Sequence, residues 1–237
     1  LLNLLSGTIA VIFAVNNELV FAAYFVFLGI FFDFFDGLAA RLLNVSGEFG
    51  KQLDSLADVV TSGVVPGIVL FQLLTSDSAR LSIKNIDITW GNSNFEFLPY
   101  VGLLFTLAAA YRLAKFNIDE RQTSTFIGLP TPAATLVVLS LPLILESSIS
   151  QGMYDFITNK WLLVGLTILL SILMNYEIHL FSLKFKNYTW KDNKIKFIYV
   201  ASILILVVFL KFLAIPIAIL WYVLLSIVSN AYVKNKI

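Results

Sequence analysis

Residues 33–58 read DFFDGLAARLLNVSGEFGKQLDSLAD, and this stretch decides how the chain folds. Its four aspartates lie inside or at the ends of apolar segments, where a buried charge costs about 2.5–3.5 kcal/mol on insertion scales. Asp33 and Asp36 are three residues apart, and Asp54 and Asp58 are four apart, so each pair projects from one face of its own helix. The stretch predicts two apolar helices whose carboxylates meet across a short turn.

The rest of the chain is similarly apolar. Of its 237 residues, 59% are apolar and 13% are charged, whereas a soluble domain has about a quarter of its residues charged. This composition argues against a water-soluble globule. A net charge of +1 also argues against nucleic acid as a partner. Because the chain has no Cys, disulfide scaffolds and thiolate metal sites are excluded.

Eight apolar segments have roughly the length, about 20 residues, that a helix needs to cross a bilayer. They cover residues 1–15, 19–42, 50–74, 97–115, 131–146, 160–176, 196–211 and 214–231. The sequence therefore predicts an all-α fold, a polytopic membrane helix bundle. No composition shift divides the chain, so we expect a single integral membrane domain over residues 1–237.

The cations indicate how the bundle is oriented. If the amino end is cytoplasmic, most of the 16 Lys and Arg residues fall on the cytoplasmic side. The exceptions are Arg80, Lys84, Lys160 and Lys211. The positive-inside rule favours this topology. We expect both termini and the carboxylates to face the cytoplasm.

The four carboxylates indicate a metal site. Converging oxygen ligands without His or Cys suit Mg²⁺ or Mn²⁺ and disfavour zinc or copper. Two divalent ions would offset the four negative charges. A cation transporter is the main alternative, because intramembrane carboxylates also mark ion pathways.

Small residues accompany the acids. Gly37 and Ala40 lie beside the first pair and Gly50 precedes the second, so the backbone there is open to a flat or phosphorylated ligand. Arg41 can offer a planar fork to a phosphate. The alternative is that the small residues only let two membrane helices pack closely. A transporter would explain the acids but not these residues at their positions.

The stretch resembles a known signature, DxxDGxxAR followed by eight residues and then GxxxDxxxD. All of its fixed positions match, and the chain is therefore similar to the CDP-alcohol phosphotransferase family. The resemblance implies a six-helix membrane core over about residues 1–176, with two additional transmembrane helices over about 196–231. It also implies a divalent-metal pair and a CDP-linked lipid near the cytoplasmic face, and it makes a homodimer plausible.

The resemblance also implies roles for individual residues. Asp33, Asp36 and Asp54 would be metal ligands, and Asp58 would be the general base that deprotonates the attacking alcohol while sharing in the metal site. A base must keep its basicity, so Asp58 should be the acid least directly bound to metal. The residues expected to line the nucleotide and CDP-lipid site are Asn3, Gly37, Ala40, Arg41 and Gly50.

A second stretch bears on the acceptor. Residues 128–134 read GLPTPAA and resemble the branch of the family that transfers to serine. A helix beginning near Pro130 would point free amides toward a serine carboxylate, although Pro and Gly here are also what an ordinary helix start requires. The candidate acceptor-binding residues are Arg112, Lys115, Gly128, Pro130 and Pro132. The two cations have an alternative role as topology determinants.

The reaction that the resemblance implies is transfer of a phosphatidyl group from CDP-diacylglycerol to L-serine, in a prokaryotic cell membrane. CMP would be released and phosphatidylserine formed. The alternatives within the family are another acceptor, such as inositol phosphate or glycerol phosphate, and an archaeal-type lipid donor. The partners expected are the two substrates and membrane lipids, with no nucleic acid.

Overall fold

The computed structural model describes residues 1–43, 47–75, 97–119, 126–147, 149–180 and 189–234. Over these residues the chain is almost entirely helical, and each of the eight predicted segments is a helix. The helices, in chain order, are α1 (Leu2–Val15), α2 (Leu19–Leu42), α3 (Glu48–Asp58), α4 (Val65–Leu74), α5 (Leu104–Ile118), α6 (Thr131–Glu146), α7 (Gln151–Ile157), α8 (Lys160–Asn175), α9 (Trp190–Leu210) and α10 (Ala214–Lys234). The short helix α7 was not expected.

A tight turn reverses the chain between α1 and α2. Asn17 adopts the left-handed conformation, with φ of 63°, which Asn tolerates better than most residues. The ring of Phe13 stacks on that of Phe25 with 5.3 Å between the centroids. Because α2 runs back beside α1, the carboxylates near its end reach the level of the start of α1.

One long helical span consists of α3, a π-helical segment over Val59–Val64, and α4. Pro66 has no amide N–H, so it cannot donate to the carbonyl of Ser62 four residues earlier. That carbonyl instead accepts a hydrogen bond of 2.7 Å from Oγ1 of Thr135 in α6. π-helical turns are frequent at functional sites, and this one begins directly after Asp58.

α5 is preceded by a 3₁₀ turn, Leu98–Leu103, that packs closely on α4. A Cβ atom at Gly102 would lie 2.7 Å from the backbone nitrogen of Phe71, which is too close for two non-bonded atoms. Glycine therefore lets the helices touch here, as small residues do between membrane helices. Farther along, Oγ1 of Thr106 donates to the carbonyl of Gly63 over 2.9 Å. This bond holds the start of α5 against the π-helical segment.

The segment before α6 is anchored to the end of α8. Phe126–Ile127 pairs in antiparallel fashion with His179–Leu180, and the amide of Leu129 donates to the carbonyl of Leu173 over 2.9 Å. α6 therefore begins at a fixed place. Its first turn lies at the same end of the bundle as the carboxylates of α2 and α3.

The core is centred on α1, α2, α4, α5 and α6, and α8, α9 and α10 also contribute buried side chains to it. It consists mainly of small and branched side chains, and fully buried examples are Ala10, Ala22, Val69, Phe105 and Val138. Burying such side chains against one another lets the helices approach closely, which is the main source of helix association in lipid.

The last two helices form a hairpin on the outside of this core. The chain reverses at Lys211, whose φ is 47°, and the rings of Tyr199 and Tyr222 lie 5.5 Å apart across the hairpin. α10 packs on α6, whereas much of α9 exposes apolar side chains. An exposed apolar hairpin of this kind is typical of a surface that contacts lipid or another protein.

Four helical stretches of the described chain are long and apolar enough to cross a membrane: Leu19–Ala40, Glu48–Leu74, Leu98–Ile118 and Lys196–Val228. α7 and α8, bent by 52°, would form a fifth span together. α1 and α6 are apolar but shorter, and Lys196–Val228 contains both helices of the C-terminal hairpin. The chain is therefore a polytopic membrane helix bundle, while the full count of eight crossings stays a prediction.

Candidate active site

Three carboxylates meet at one end of the bundle. Oxygen atoms of Asp33 and Asp36 in α2 and of Asp54 in α3 all lie within 4.8 Å of one another. Carboxylate oxygens at this separation can bind one divalent cation together, because Mg²⁺ and Ca²⁺ take oxygen ligands at about 2.0–2.6 Å. Without His or Cys, this group of acids fits Mg²⁺ or Mn²⁺ better than zinc or copper.

Asp58 is not one of the three acids in this group, and its nearest described partner is Asn3. It lies one turn beyond Asp54, half-buried, and its Oδ1 accepts a hydrogen bond of 3.0 Å from Nδ2 of Asn3. The same Nδ2 lies 3.4 Å from Oδ1 of Asp33. The Asn3 amide therefore bridges Asp58 and Asp33, one of the three clustered acids.

Asn3 is itself firmly held. Its side chain is buried, with 2% of the residue exposed, and its backbone carbonyl accepts a hydrogen bond of 3.3 Å from Oγ1 of Thr61. The resemblance implied nucleotide binding for Asn3. The bond from Asn3 to Asp58 was not predicted, because nothing in the sequence relates two residues 55 positions apart.

A cavity of about 390 Å³ opens beside the acids. This volume lies within the range of small-molecule sites, about 300–1,000 Å³. Asp36 and Asp54 line the cavity, and so do four of the residues expected in the nucleotide site: Asn3, Gly37, Ala40 and Gly50. The structure therefore brings these four residues together with two of the acids.

The two glycines of the signature face open space. A Cβ atom at Gly37 or Gly50 would meet no atom of the described chain within 4 Å. The alternative that these glycines serve close helix packing within the chain is therefore not supported by their surroundings. They leave the backbone open toward the cavity. The side chain of Arg41 lies outside the described residues.

A pair of polar side chains, missed by the sequence reasoning, joins α3 to the end of α5. Oγ of Ser55 and Nδ2 of Asn117 are 2.8 Å apart, and Nζ of Lys51 donates to the carbonyl of Asn117 over 2.9 Å. Ser55 directly follows Asp54, so this pair restricts the rotation of α3 and therefore the direction of its acids. In the sequence, only the position of Ser55 within the signature indicated that this residue lies at the site.

The two cations proposed for acceptor binding have protein partners. Arg112 is buried, and its Nε donates to the carbonyl of Leu129 over 2.6 Å, while one terminal nitrogen lies 3.3 Å from the carbonyl of Gly128. Lys115 forms an ion pair of 3.3 Å with Glu177. The structure thus places Arg112 beneath the loop before α6. A contact of either cation with the acceptor stays a prediction.

The loop before α6 has the geometry that its Gly and Pro residues predict. Gly128 has a φ of 75°, and a Cβ atom there would lie 2.6 Å from the carbonyl oxygen of Met174. Pro130 and Pro132, both half-buried, flank Thr131, which is the first residue of α6. Neither Thr131 nor Ser62, whose carbonyl bonds to Thr135 one turn farther along α6, was singled out from the sequence.

Apolar helices that end in a carboxylate cluster beside an open cavity define a polytopic membrane protein with a candidate divalent-metal site. The family model of CDP-alcohol phosphatidyltransferase matches residues 1–176. The chain belongs to this family of membrane-embedded transferases. Membership is hard to reconcile with the transporter alternative. Family members typically use divalent metals, and the three clustered acids can bind one.

Curated relatives include bacterial and archaeal proteins. The chain is 35% identical over 144 residues to the CDP-diacylglycerol–serine O-phosphatidyltransferase of Bacillus subtilis, with 58% of this chain and 70% of that protein aligned. It is 30% identical over 172 residues to the Helicobacter pylori protein of the same name, covering 71% and 63%. The archaetidylserine synthase of Methanothermobacter thermautotrophicus is 28% identical over 179 residues, covering 74% and 66%. The chain thus spans about two thirds of the length of these relatives.

Proposed function

We propose that the chain transfers the phosphatidyl group of CDP-diacylglycerol to the hydroxyl of L-serine, forming phosphatidylserine and CMP. The observation that carries the proposal is the cluster of Asp33, Asp36 and Asp54 at the mouth of a cavity lined by Gly37 and Gly50. The two bacterial relatives are named as serine O-phosphatidyltransferases, and the archaeal relative is named as an archaetidylserine synthase. The GLPTPAA loop supports the same acceptor.

Asp33, Asp36 and Asp54 would hold the metal. All three offer carboxylate oxygens, the ligands that Mg²⁺ and Mn²⁺ prefer, and we propose that two ions bind here. A divalent pair supplies charge neutralisation for the pyrophosphate and for the oxygens that attack and leave. Gly37 and Gly50 let the CDP group approach the backbone beside these acids.

Asp58 is the proposed base. It takes the proton of the serine hydroxyl while that oxygen forms a bond to the lipid-side phosphorus and the bond from this phosphorus to the CMP oxygen breaks. Asp58 suits this role because it is not one of the three clustered acids, so we expect a cation held by those three to engage its lone pairs less. Asn3 directs Asp58 by donating to its Oδ1. The other oxygen would then receive the proton.

We place the active site on the cytoplasmic side of a prokaryotic cell membrane. The acids, the start of α6 and the ends of α5 and α8 all lie at one end of the bundle, where Lys51 and Lys115 also lie. The positive-inside rule favours the cytoplasm for this end. CDP-diacylglycerol can enter laterally from the inner leaflet, and serine from the aqueous side.

The test is CMP release by the purified full chain in detergent, with CDP-diacylglycerol and Mg²⁺ or Mn²⁺. Serine, inositol phosphate and glycerol phosphate are compared as acceptors, and an archaeol-based CDP donor is compared with the diacyl donor. We expect release with serine alone. Release only with another acceptor would contradict the serine assignment, and no release with any acceptor would contradict transferase activity.

Two variants separate the roles of the acids. Asp54→Asn is expected to weaken Mn²⁺ binding, measured by electron paramagnetic resonance, and to abolish CMP release. Asp58→Asn is expected to retain Mn²⁺ binding and to lose at least about two powers of ten in turnover, the lower end of what general-base catalysis contributes. If Asp58→Asn lost Mn²⁺ while keeping its turnover per bound ion, the assignment of Asp58 as base would be wrong.

A further inference from the structure

Two buried hydroxyl groups, one on the π-helical segment and one on α6, have no hydrogen-bond partner within the described chain. They are Oγ of Ser62 and Oγ1 of Thr131, and only 1% of each residue is exposed. A buried hydroxyl without a partner costs about 1–3 kcal/mol. Such groups in a native protein call for an explanation, and a bound ligand is one.

Both hydroxyls belong to one interface. Thr135 Oγ1 donates to the carbonyl of Ser62 over 2.7 Å, which joins α6 to the π-helical segment at this level. α3 and α6 both begin at the carboxylate end of the bundle, so they run in the same direction. One turn back from Ser62 is Asp58, and one turn back from Thr135 is Thr131. Asp58 and Thr131 therefore lie at similar depth, each about 5–6 Å nearer the carboxylate end than the Thr135 contact.

The amino-terminal end of α6 has features that favour binding of an anion. The first N–H groups of a helix have no partner within the helix, and the helix dipole favours negative charge there. The position of this start is fixed by Arg112, whose Nε donates to the carbonyl of Leu129 two residues before Thr131. α6 packs on the π-helical segment, whereas α3 is not among its main packing partners. Thr131, the first residue of α6, is itself buried, so an anion bound at this start would be shielded from bulk water.

We propose that the carboxylate of the amino-acid acceptor binds at the start of α6, where the hydroxyls of Thr131 and Ser62 donate hydrogen bonds to it. This inference rests on the proposed function and names the residues that select an acceptor with a carboxylate. In serine, only two bonds separate the carboxylate carbon from the carbon that bears the hydroxyl. Binding the carboxylate beside Asp58 therefore brings the hydroxyl within reach of that base.

The test compares Thr131→Val, Thr131→Ser and Ser62→Ala in the full chain. Thr131→Val keeps the shape of the side chain and removes the hydroxyl, so the apparent KM for serine is expected to rise roughly tenfold, the value of one hydrogen bond to a charged group. The KM for CDP-diacylglycerol and kcat at saturating serine should stay within about threefold, a change of less than 1 kcal/mol. Ser62→Ala should behave in the same way, whereas Thr131→Ser should restore the KM for serine.

The matched control is Thr167→Val. Thr167 is also fully buried, but its hydroxyl donates to the carbonyl of Leu163 within α8, and the variant should leave the KM for serine unchanged. Ethanolamine, which lacks the carboxylate, is the second control. It should inhibit wild type and Thr131→Val with the same constant, whereas 3-hydroxypropionate, which keeps the carboxylate, should inhibit Thr131→Val more weakly.

Direct binding separates the two proposals. L-serine is titrated calorimetrically into the full chain, which needs no turnover. If wild type uses and binds serine and both hydroxyl variants keep wild-type affinity, this inference is wrong and the proposed function stands. If wild type neither uses nor binds serine, both are wrong. Weaker serine binding in both variants, with Thr167→Val unchanged, would support the inference.

Discussion

Asn3 shows how one residue can organise two others that lie far from it in sequence. Its Nδ2 is 3.0 Å from an oxygen of Asp58 and 3.4 Å from an oxygen of Asp33. A carboxylate has two oxygens, and a donor fixed on one of them determines where the other points. Besides lining the cavity, Asn3 is therefore proposed to be a positioning residue that acts through Asp58.

We expect Asn3→Ala to lower kcat by roughly 10- to 100-fold, because a hydrogen bond to a charged group contributes about 1.5–3 kcal/mol. The KM for serine should change by less than about threefold, since the lost bond acts on the base and not on acceptor binding. Steady-state CMP release measures both constants. The control is Thr8→Val, an exposed residue of α1 whose hydroxyl donates to its own helix. An unchanged kcat in Asn3→Ala would remove the positioning role.

At the scale of elements, the loop before α6 connects the acceptor side of the site to α5 and α8. Arg112 donates to its carbonyls from α5, and the backbone of Leu129 donates to α8. Charged groups inside a membrane protein usually pair with carbonyls or with one another. A buried Arg that supports a loop is therefore consistent with the depth of this site.

Gly128→Ala is expected to destabilise the protein by about 1–3 kcal/mol, because the positive φ and the nearby carbonyl of Met174 both oppose a side chain there. The measurement is thermal unfolding in detergent. Gly152→Ala is the control. Gly152 lies in α7, and a Cβ there would have no neighbour within 4 Å in the described chain, so the change should be neutral or stabilise by up to about 1 kcal/mol. Equal effects of the two substitutions would contradict the anchoring of this loop.

At the scale of the whole molecule, the candidate site lies in the part of the chain that the family model matches, and the hairpin of α9 and α10 follows that part. The family match ends at residue 176, before this hairpin begins. That residues 1–237 form one domain, made of a core and a C-terminal hairpin, remains a prediction. A homodimer is also a prediction. The described structure shows that α10 packs on α6, the helix that starts at the candidate site.

Orientation can be tested directly because the chain has no Cys. Single cysteines are introduced as Gln52→Cys at the carboxylate end and Gly152→Cys at the opposite end, both at exposed positions. In intact cells, a membrane-impermeant maleimide should label Gly152→Cys at once and Gln52→Cys only after permeabilisation. The cysteine-free chain is the control. The reverse labelling would place the acids outside the cytoplasm.

Much of the fold and of the site could be predicted from the sequence alone. Helices of apolar residues depend on near neighbours and on the need to satisfy the backbone in lipid, so composition and length predicted them. The spacing within each pair, Asp33 with Asp36 and Asp54 with Asp58, predicted that its two carboxylates share a helix face, and the two faces were expected to meet across a short turn. The structure brings Asp33, Asp36 and Asp54 together.

Only the tertiary structure decided which residues that are distant in sequence contact one another at the site. It joins Asp58 to Asn3 and turns Arg112 toward the loop carbonyls. Within the described chain, it also leaves the hydroxyls of Ser62 and Thr131 buried without partners. Contacts of this kind depend on how helices cross and which faces they bury, and no local pattern of residues determines those properties.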